Sequence, residues 1–127
     1  MSQQFRKHYT REEARALLPK LREWLEQLAA SNAEFEKAER RLAGLMTSGQ
    51  DVGGALVNRW ARLRLEMQLL LREFQQREIF IKDLDRGLLD FPAMVGGKEV
   101  FLCWEKDKAD IEYWHDIDSG YAGREPL

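Results

Sequence analysis

The chain has 127 residues, 44% hydrophobic and 33% charged, with a formal net charge of −2. That length and apolar share fit one domain (1–127) with a core large enough to fold alone. No apolar run approaches the roughly 20 residues a bilayer span needs, and the stretch Met1–Lys7 is too polar for a leader, so the expectation is a cytoplasmic protein with no membrane partner.

A single cysteine excludes an internal disulfide framework and a zinc centre built from cysteines. Charge is unevenly spread: residues 1–78 carry 14 Lys/Arg against 11 Asp/Glu, whereas residues 79–127 carry 6 against 11. Acid-rich segments near a histidine suit a cation or a basic partner better than a phosphate backbone.

Residues 1–9 read as an N-terminal arm. Thr10 with Glu13 forms a capping-box pattern that starts a first helix over 10–46. Its apolar positions Leu17, Leu21, Trp24, Leu25, Leu28, Phe35, Leu42 and Met46 fall on one stripe. Pro19 removes an amide donor and crowds the carbonyl of Arg15, which predicts a bend near residues 15–19. Thr47 to Gly54, rich in glycine and small polar residues and including Asp51, reads as a connector.

A second helix over 55–78 follows, with Leu56, Trp60, Leu63, Met67, Leu70, Leu71 and Phe74 on its main stripe. The two helices predict an antiparallel hairpin. Pairing Met46 with Leu56 sets Leu42 near Trp60, Phe35 near Met67 and Leu28 near Phe74. It also puts Glu39 level with Leu63, within reach of Arg59 or Arg64. In this register Thr10 to Glu23, about 20 Å of helix, overhangs the partner and leaves Leu17, Leu18 and Leu21 needing cover. Ala61, Leu65 and Leu69 form a second stripe on the opposite side of helix two, which predicts a homo-oligomer formed through the hairpin unless the C-terminal segment covers that face.

From residue 79 the period changes to two. Ile79-Phe80-Ile81, Val100 to Trp104 and Ile111 to Asp116 read as strands, with Gly96-Gly97 as a hairpin turn. The expected fold is α+β: a long antiparallel helical hairpin, then a small C-terminal antiparallel β meander with its tail (79–127) capping the overhang.

His115 is the leading candidate for chemistry. With carboxylates from Asp116, Asp118 and Glu105, or from Asp90, it would suit a divalent metal ion; no other cofactor is implied. Asp90, Trp104, Trp114 and Arg124 are the ligand-binding candidates, acids and aromatics that a small cleft would use. Alternation puts Glu112 and Trp114 on one face and Tyr113 and His115 on the other, so all four line one site only if a bulge intervenes. Arg124 would clamp an anion or lock the tail against the acidic unit.

Cys103, inside a strand, reads as a buried inert thiol. Asp116-Ile117-Asp118-Ser119-Gly120 fails as an EF-hand, because its glycine stands fifth and Leu127 twelfth. Lys37, Arg40, Arg41, Arg59, Arg62, Arg64, Arg72 and Arg77 give the hairpin a basic character, but interleaved Glu34, Glu36, Glu66 and Glu73 make nucleic acid the less favoured partner.

Several segments carry a family resemblance: Glu13-Ala14 with Leu17-Leu18-Pro19, Lys82-Asp83, Gly87 through Ala93, Leu102-Cys103-Trp104, Trp114-His115, Gly120 and Gly123 through Leu127. In order and spacing the chain resembles the prokaryotic domain of unknown function 2203 family over nearly its whole length. The resemblance implies no activity. One departure is Glu105-Lys106-Asp107-Lys108, where the family pattern has Gly-Glu after the tryptophan. The residues favour a binding or assembly module that self-associates through its hairpin. The alternatives are a metal-binding or metal-dependent hydrolase-like protein centred on His115, and nucleic-acid binding through the basic faces. Whether the protein is an enzyme stays open at this point.

Overall fold

A computed structural model describes residues 3–50 and 53–127; Met1 and Ser2 of the arm and Asp51 and Val52 of the connector lie outside the described residues. Helix α1 runs Arg11–Thr47 and helix α2 runs Gly54–Gln76. Thr10 caps α1 as expected: its hydroxyl accepts from the Glu13 amide, and the Glu13 carboxylate accepts from the Thr10 amide, both at 3.1 Å. Pro19 lies inside α1, which continues through it as one helix.

The far end of α2 stops two residues before the expected Glu78. There the chain turns left-handed at Glu78 (φ 54°), the Glu78 amide bonds the Gln75 carbonyl, and the Ile79 amide bonds the Phe74 carbonyl. This Schellman geometry brings Ile79 back onto Phe74, and both are buried. Ile79 is therefore part of the helix cap rather than the first residue of a strand.

The hairpin register differs from the pairing of Met46 with Leu56. Phe35 stacks on Trp60 at 5.7 Å, and Trp24 meets Phe74 edge-on at 5.8 Å. α2 is thus displaced by about one to two turns toward the α1 N-terminus. The displacement carries Phe74 and Ile79 into the core with Leu21, Leu25 and Leu28. It leaves Met46 at 68% exposure, and it leaves Glu39 exposed while Arg59 pairs with Glu34 at 2.9 Å. Aromatic stacking and the sheet beyond, rather than the connector, set the register.

Five strands follow: β1 Phe80–Asp83, β2 Leu88–Val95, β3 Lys98–Glu105, β4 Tyr113–Asp116 and β5 Glu125–Pro126, with a short 3-10 turn Tyr121–Gly123 before the last. They form one antiparallel meander in sequence order. Gly96 and Gly97 both take positive φ, 58° and 78°, as a two-residue hairpin turn requires.

The pleat divides the sheet. Leu89, Phe91, Ala93, Val100, Leu102 and Trp104 face the helices and join Leu18, Leu21, Leu25 and Leu28 in one buried cluster. The overhanging end of α1 is capped by the sheet, the arrangement expected from the unequal helix lengths. The second stripe on α2 is not covered: Leu65 is 55% exposed and Leu69 51%. Among the described residues no helix is long and apolar enough to cross a membrane.

Candidate functional site

The opposite face of the sheet has a polar floor. In β2 and β3, Asp90 stands across from Cys103; in β3 and β4, Cys103 stands across from Tyr113 and Phe101 from His115. Residues two apart share a face, so Asp90, Cys103 and His115 become neighbours on the side away from the helices. Among the described residues they are the one group of three or more metal-ligand side chains whose donor atoms all lie within 4.8 Å of one another. All three are buried, Asp90 and His115 at 2% exposure each.

Hydrogen bonding fixes the imidazole. Nδ1 of His115 lies 2.8 Å from the Asp116 carbonyl oxygen, which only accepts, so Nδ1 carries a proton and donates. Nε2 lies 3.0 Å from Asp90 Oδ2. A neutral imidazole with its proton on Nδ1 presents a bare lone pair there, so the contact needs one proton held between ring and carboxyl. Burial pushes the Asp90 carboxyl above the usual carboxylate range, with His115 opposing the shift. Asp90 Oδ1 is buried and has no hydrogen-bond partner. Burial, with Asp90 next in effect, pushes the Cys103 thiol up to about 11, which disfavours a free thiolate nucleophile.

A cavity of about 310 Å³ opens beside the three side chains, lined also by Lys82, Leu88, Phe101, Ile117 and Tyr121. Lys82 and Asp83 reach it because the β1–β2 register slips between Ile81 and Asp83, a bulge that re-aims the edge strand. The arm covers one flank: Phe5 packs on Phe80 and Phe101 at 5.4 Å each, and Phe101 meets the His115 ring at 5.5 Å. Glu99 holds that arm by accepting from the Gln4 and Phe5 amides and from His8, while Glu78 accepts from the Arg6 and Lys7 amides.

Of the residues expected at a site, Asp90 joins His115, and Arg124 lies close enough to the Cys103 thiol to oppose its upward shift. Trp104 is buried on the helix side, its Nε1 donating to the Lys108 carbonyl at 3.0 Å, and Trp114 packs against the same core. The two indoles cannot line the His115 cavity because alternation points them the other way.

Asp116 gives its backbone carbonyl to His115, but its carboxylate pairs with Lys98 at 2.9 Å. Asp118 lies in the following turn, on an open cleft with Gln4, Lys98 and Glu99. Glu105 is engaged by Arg86 at 3.0 Å and the Tyr121 hydroxyl at 2.9 Å, with Arg124 at 3.7 Å. Arg124 stands over the Tyr113 and Tyr121 rings at 4.1 and 4.0 Å, locking the tail. Asp116, Asp118 and Glu105 therefore do not gather on the imidazole. Cys103 stands with Asp90 and His115 instead, buried as expected of a thiol inside a strand. Its signal was the Gly96-Gly97 turn: counting outward from that turn pairs Asp90 with Cys103.

The protein is a helical hairpin capped by a five-stranded meander, with a buried Asp, Cys and His on the outer face of the sheet. Its sequence matches the model of a family described as an uncharacterized conserved protein, DUF2203, over residues 7–127, and the chain belongs to that family. No curated protein and no solved structure matches it. Asp90, Cys103 and His115 each fall in one of the segments that carry the resemblance.

Proposed function

We propose that this protein binds a divalent transition-metal ion through the Asp90 carboxylate, the Cys103 thiolate and His115 Nε2. The observation that carries the reading is the buried, unpartnered Asp90 Oδ1 beside an imidazole whose Nδ1 is already committed to a backbone carbonyl. Metal-binding histidines are oriented by such an Nδ1–H contact, which leaves Nε2 for the ion. An ion replaces the shared Asp90–His115 proton and the thiol proton, and its two positive charges balance one carboxylate and one thiolate in a desolvated setting.

An O, S and N donor set suits zinc best among common ions. Ligand atoms around a tetrahedral zinc stand about 3.3–3.8 Å apart, between the 3.0 Å of the Nε2–Oδ2 pair and the 4.8 Å within which all three donors lie. Three protein ligands leave a position toward the cavity, the layout in which bound water is activated, so hydrolysis is the activity to assay in metal-loaded protein.

Metal analysis of untagged protein tests the reading, together with titration of cobalt into metal-free protein. Expected is one equivalent and a thiolate-to-cobalt absorption band that disappears in Cys103→Ala and weakens strongly in His115→Ala. Less than about a tenth of an equivalent, with no cobalt band, overturns it. We also infer a cytoplasmic setting, where a thiol ligand stays reduced.

A second reading, self-association through the hairpin, is favoured by the half-exposed Leu65 and Leu69 on α2. Light scattering at micromolar concentration tests it, and a strict monomer ends it. Direct nucleic-acid binding has less support: Lys37 and Arg59 share Glu34, Arg77 pairs with Glu73, and Arg64 lies over Trp60.

A further inference from the structure

We propose that the outer face of α2 is the interface of a two-fold homodimer in which the two α2 helices cross antiparallel, with Arg62 against Glu66 of the partner subunit. The inference rests on the self-association reading and names the surface, the orientation and the pairing.

Val57, Ala61, Leu65 and Leu69 recur at every fourth position on α2, and Val57, Leu65 and Leu69 are all large apolar side chains left exposed. Residues at that spacing form a ridge inclined about 26° to the helix axis. Two such ridges interdigitate at a crossing of about 50°, which confines contact to the middle of the stripe. There Ala61, the smallest member, lets the helices approach, and Leu65 seats between Ala61 and Leu65 of the partner subunit.

Charge decides the orientation. Arg62 and Glu66 follow Ala61 and Leu65 by one position and so flank the ridge on one side. Both are exposed, and neither makes an ion pair among the described residues. A parallel two-fold, with its axis along the helices, would carry that flank to the opposite side of the partner helix, so Arg62 and Glu66 would meet neither each other nor their own copies. The antiparallel crossing places each beside the opposite charge, twice by symmetry. A second copy is therefore the occupant whose charge pattern matches this face. Arg64, on the other flank, is engaged over Trp60 at 5.7 Å.

The test is analytical ultracentrifugation of the full chain, with circular dichroism to confirm folding of each variant. Wild type is expected to dimerise. Leu65→Lys, at a site exposed in the protomer, is expected to give a folded monomer. Arg62→Glu and Glu66→Arg are each expected to weaken the dimer by about tenfold, since each puts two like-charge contacts into one interface. The double exchange Arg62→Glu with Glu66→Arg is expected to restore it.

A wild-type monomer overturns the self-association reading itself. A wild-type dimer that Leu65→Lys leaves intact places the interface elsewhere and overturns this proposal. A dimer lost on Leu65→Lys but not rescued by the double exchange overturns the antiparallel pairing.

Discussion

The two faces of the sheet are built from the same three strands, yet they do opposite things. Phe91, Leu102 and Trp114 point at the helices, the first two sealed in an apolar cluster and the third packed against it. Their immediate neighbours Asp90, Cys103 and His115 point away, equally buried, under an arm and a short C-terminal turn instead of a helical layer. A buried carboxyl, thiol and imidazole add little to stability by themselves, since desolvation opposes each charged form. The inner face explains why the protein folds; the outer face holds groups that folding alone does not require, and that contrast is the argument for chemistry there.

The sharpest test compares adjacent residues on β2. Phe91→Ala, at a fully buried inner position, is expected to destabilise by about 3–5 kcal/mol in denaturant unfolding. A loss near that size from Asp90→Ala, its neighbour on the outer face, would erase the distinction between the faces. Next in size is thiol reactivity. With its thiol pushed up to about 11, Cys103 is expected to alkylate about a hundredfold more slowly at pH 8 than an ordinary exposed cysteine. The rate should climb with pH toward that value, and zinc should suppress it further. Fast labelling at neutral pH would show that the outer face is open.

Asp90→Asn comes third, and its expected sign is opposite to that of Phe91→Ala. The folded-state Asp90 carboxyl is raised, so the native protein holds its proton more tightly than the unfolded chain does. Stability from this group is therefore present below the unfolded carboxyl range and is lost as pH rises from about 4 toward the folded value. Asparagine removes that loss. Metal-free Asp90→Asn is expected to be more stable than wild type at neutral pH by about 1 kcal/mol, with a flatter pH dependence, and to gain nothing from zinc, where the proposed site would stabilise the wild type. Thermal melts across pH, with and without zinc, would decide it; a destabilised variant would make Asp90 a structural group like those on the inner face.

The inner face was readable from sequence because its signals are local and periodic. The Thr10 cap, the apolar stripe of the first helix and the alternation of Val100, Leu102 and Trp104 each specify an element without knowledge of its neighbours. The hairpin register was not readable, because the connector does not set it: the Phe35–Trp60 stack and the docking of Phe74 onto the sheet do. Two of the three residues of the candidate site were legible. Asp90 and His115 stood out as polar residues in apolar strands, but proximity along the chain drew attention to Asp116 and Asp118. In a meander the partners of a side chain come from neighbouring strands, and those are found by counting from the glycine turn.

Glu78 joins the two regions, because it ends α2 in a left-handed conformation and its carboxylate holds the arm over the outer face. Glu78→Ala and Glu78→Gly both remove the acceptor for the Arg6 and Lys7 amides, but only glycine relieves the backbone. Alanine is expected to be less stable than glycine by about 1 kcal/mol, a difference that isolates the left-handed cap. Equal melting temperatures for the two would mean that the cap conformation carries no cost.

The smallest expected effect falls on Asp116. Its carboxylate pairs with Lys98 at an exposed edge while its backbone carbonyl orients His115. Replacing the side chain leaves the carbonyl in place, so Asp116→Ala should change stability by less than about 0.5 kcal/mol and leave metal stoichiometry unchanged. If the metal is lost with that carboxylate, the ion is held by residues consecutive along β4 rather than by three strands, and the outer-face site as drawn from Asp90 and Cys103 gives way.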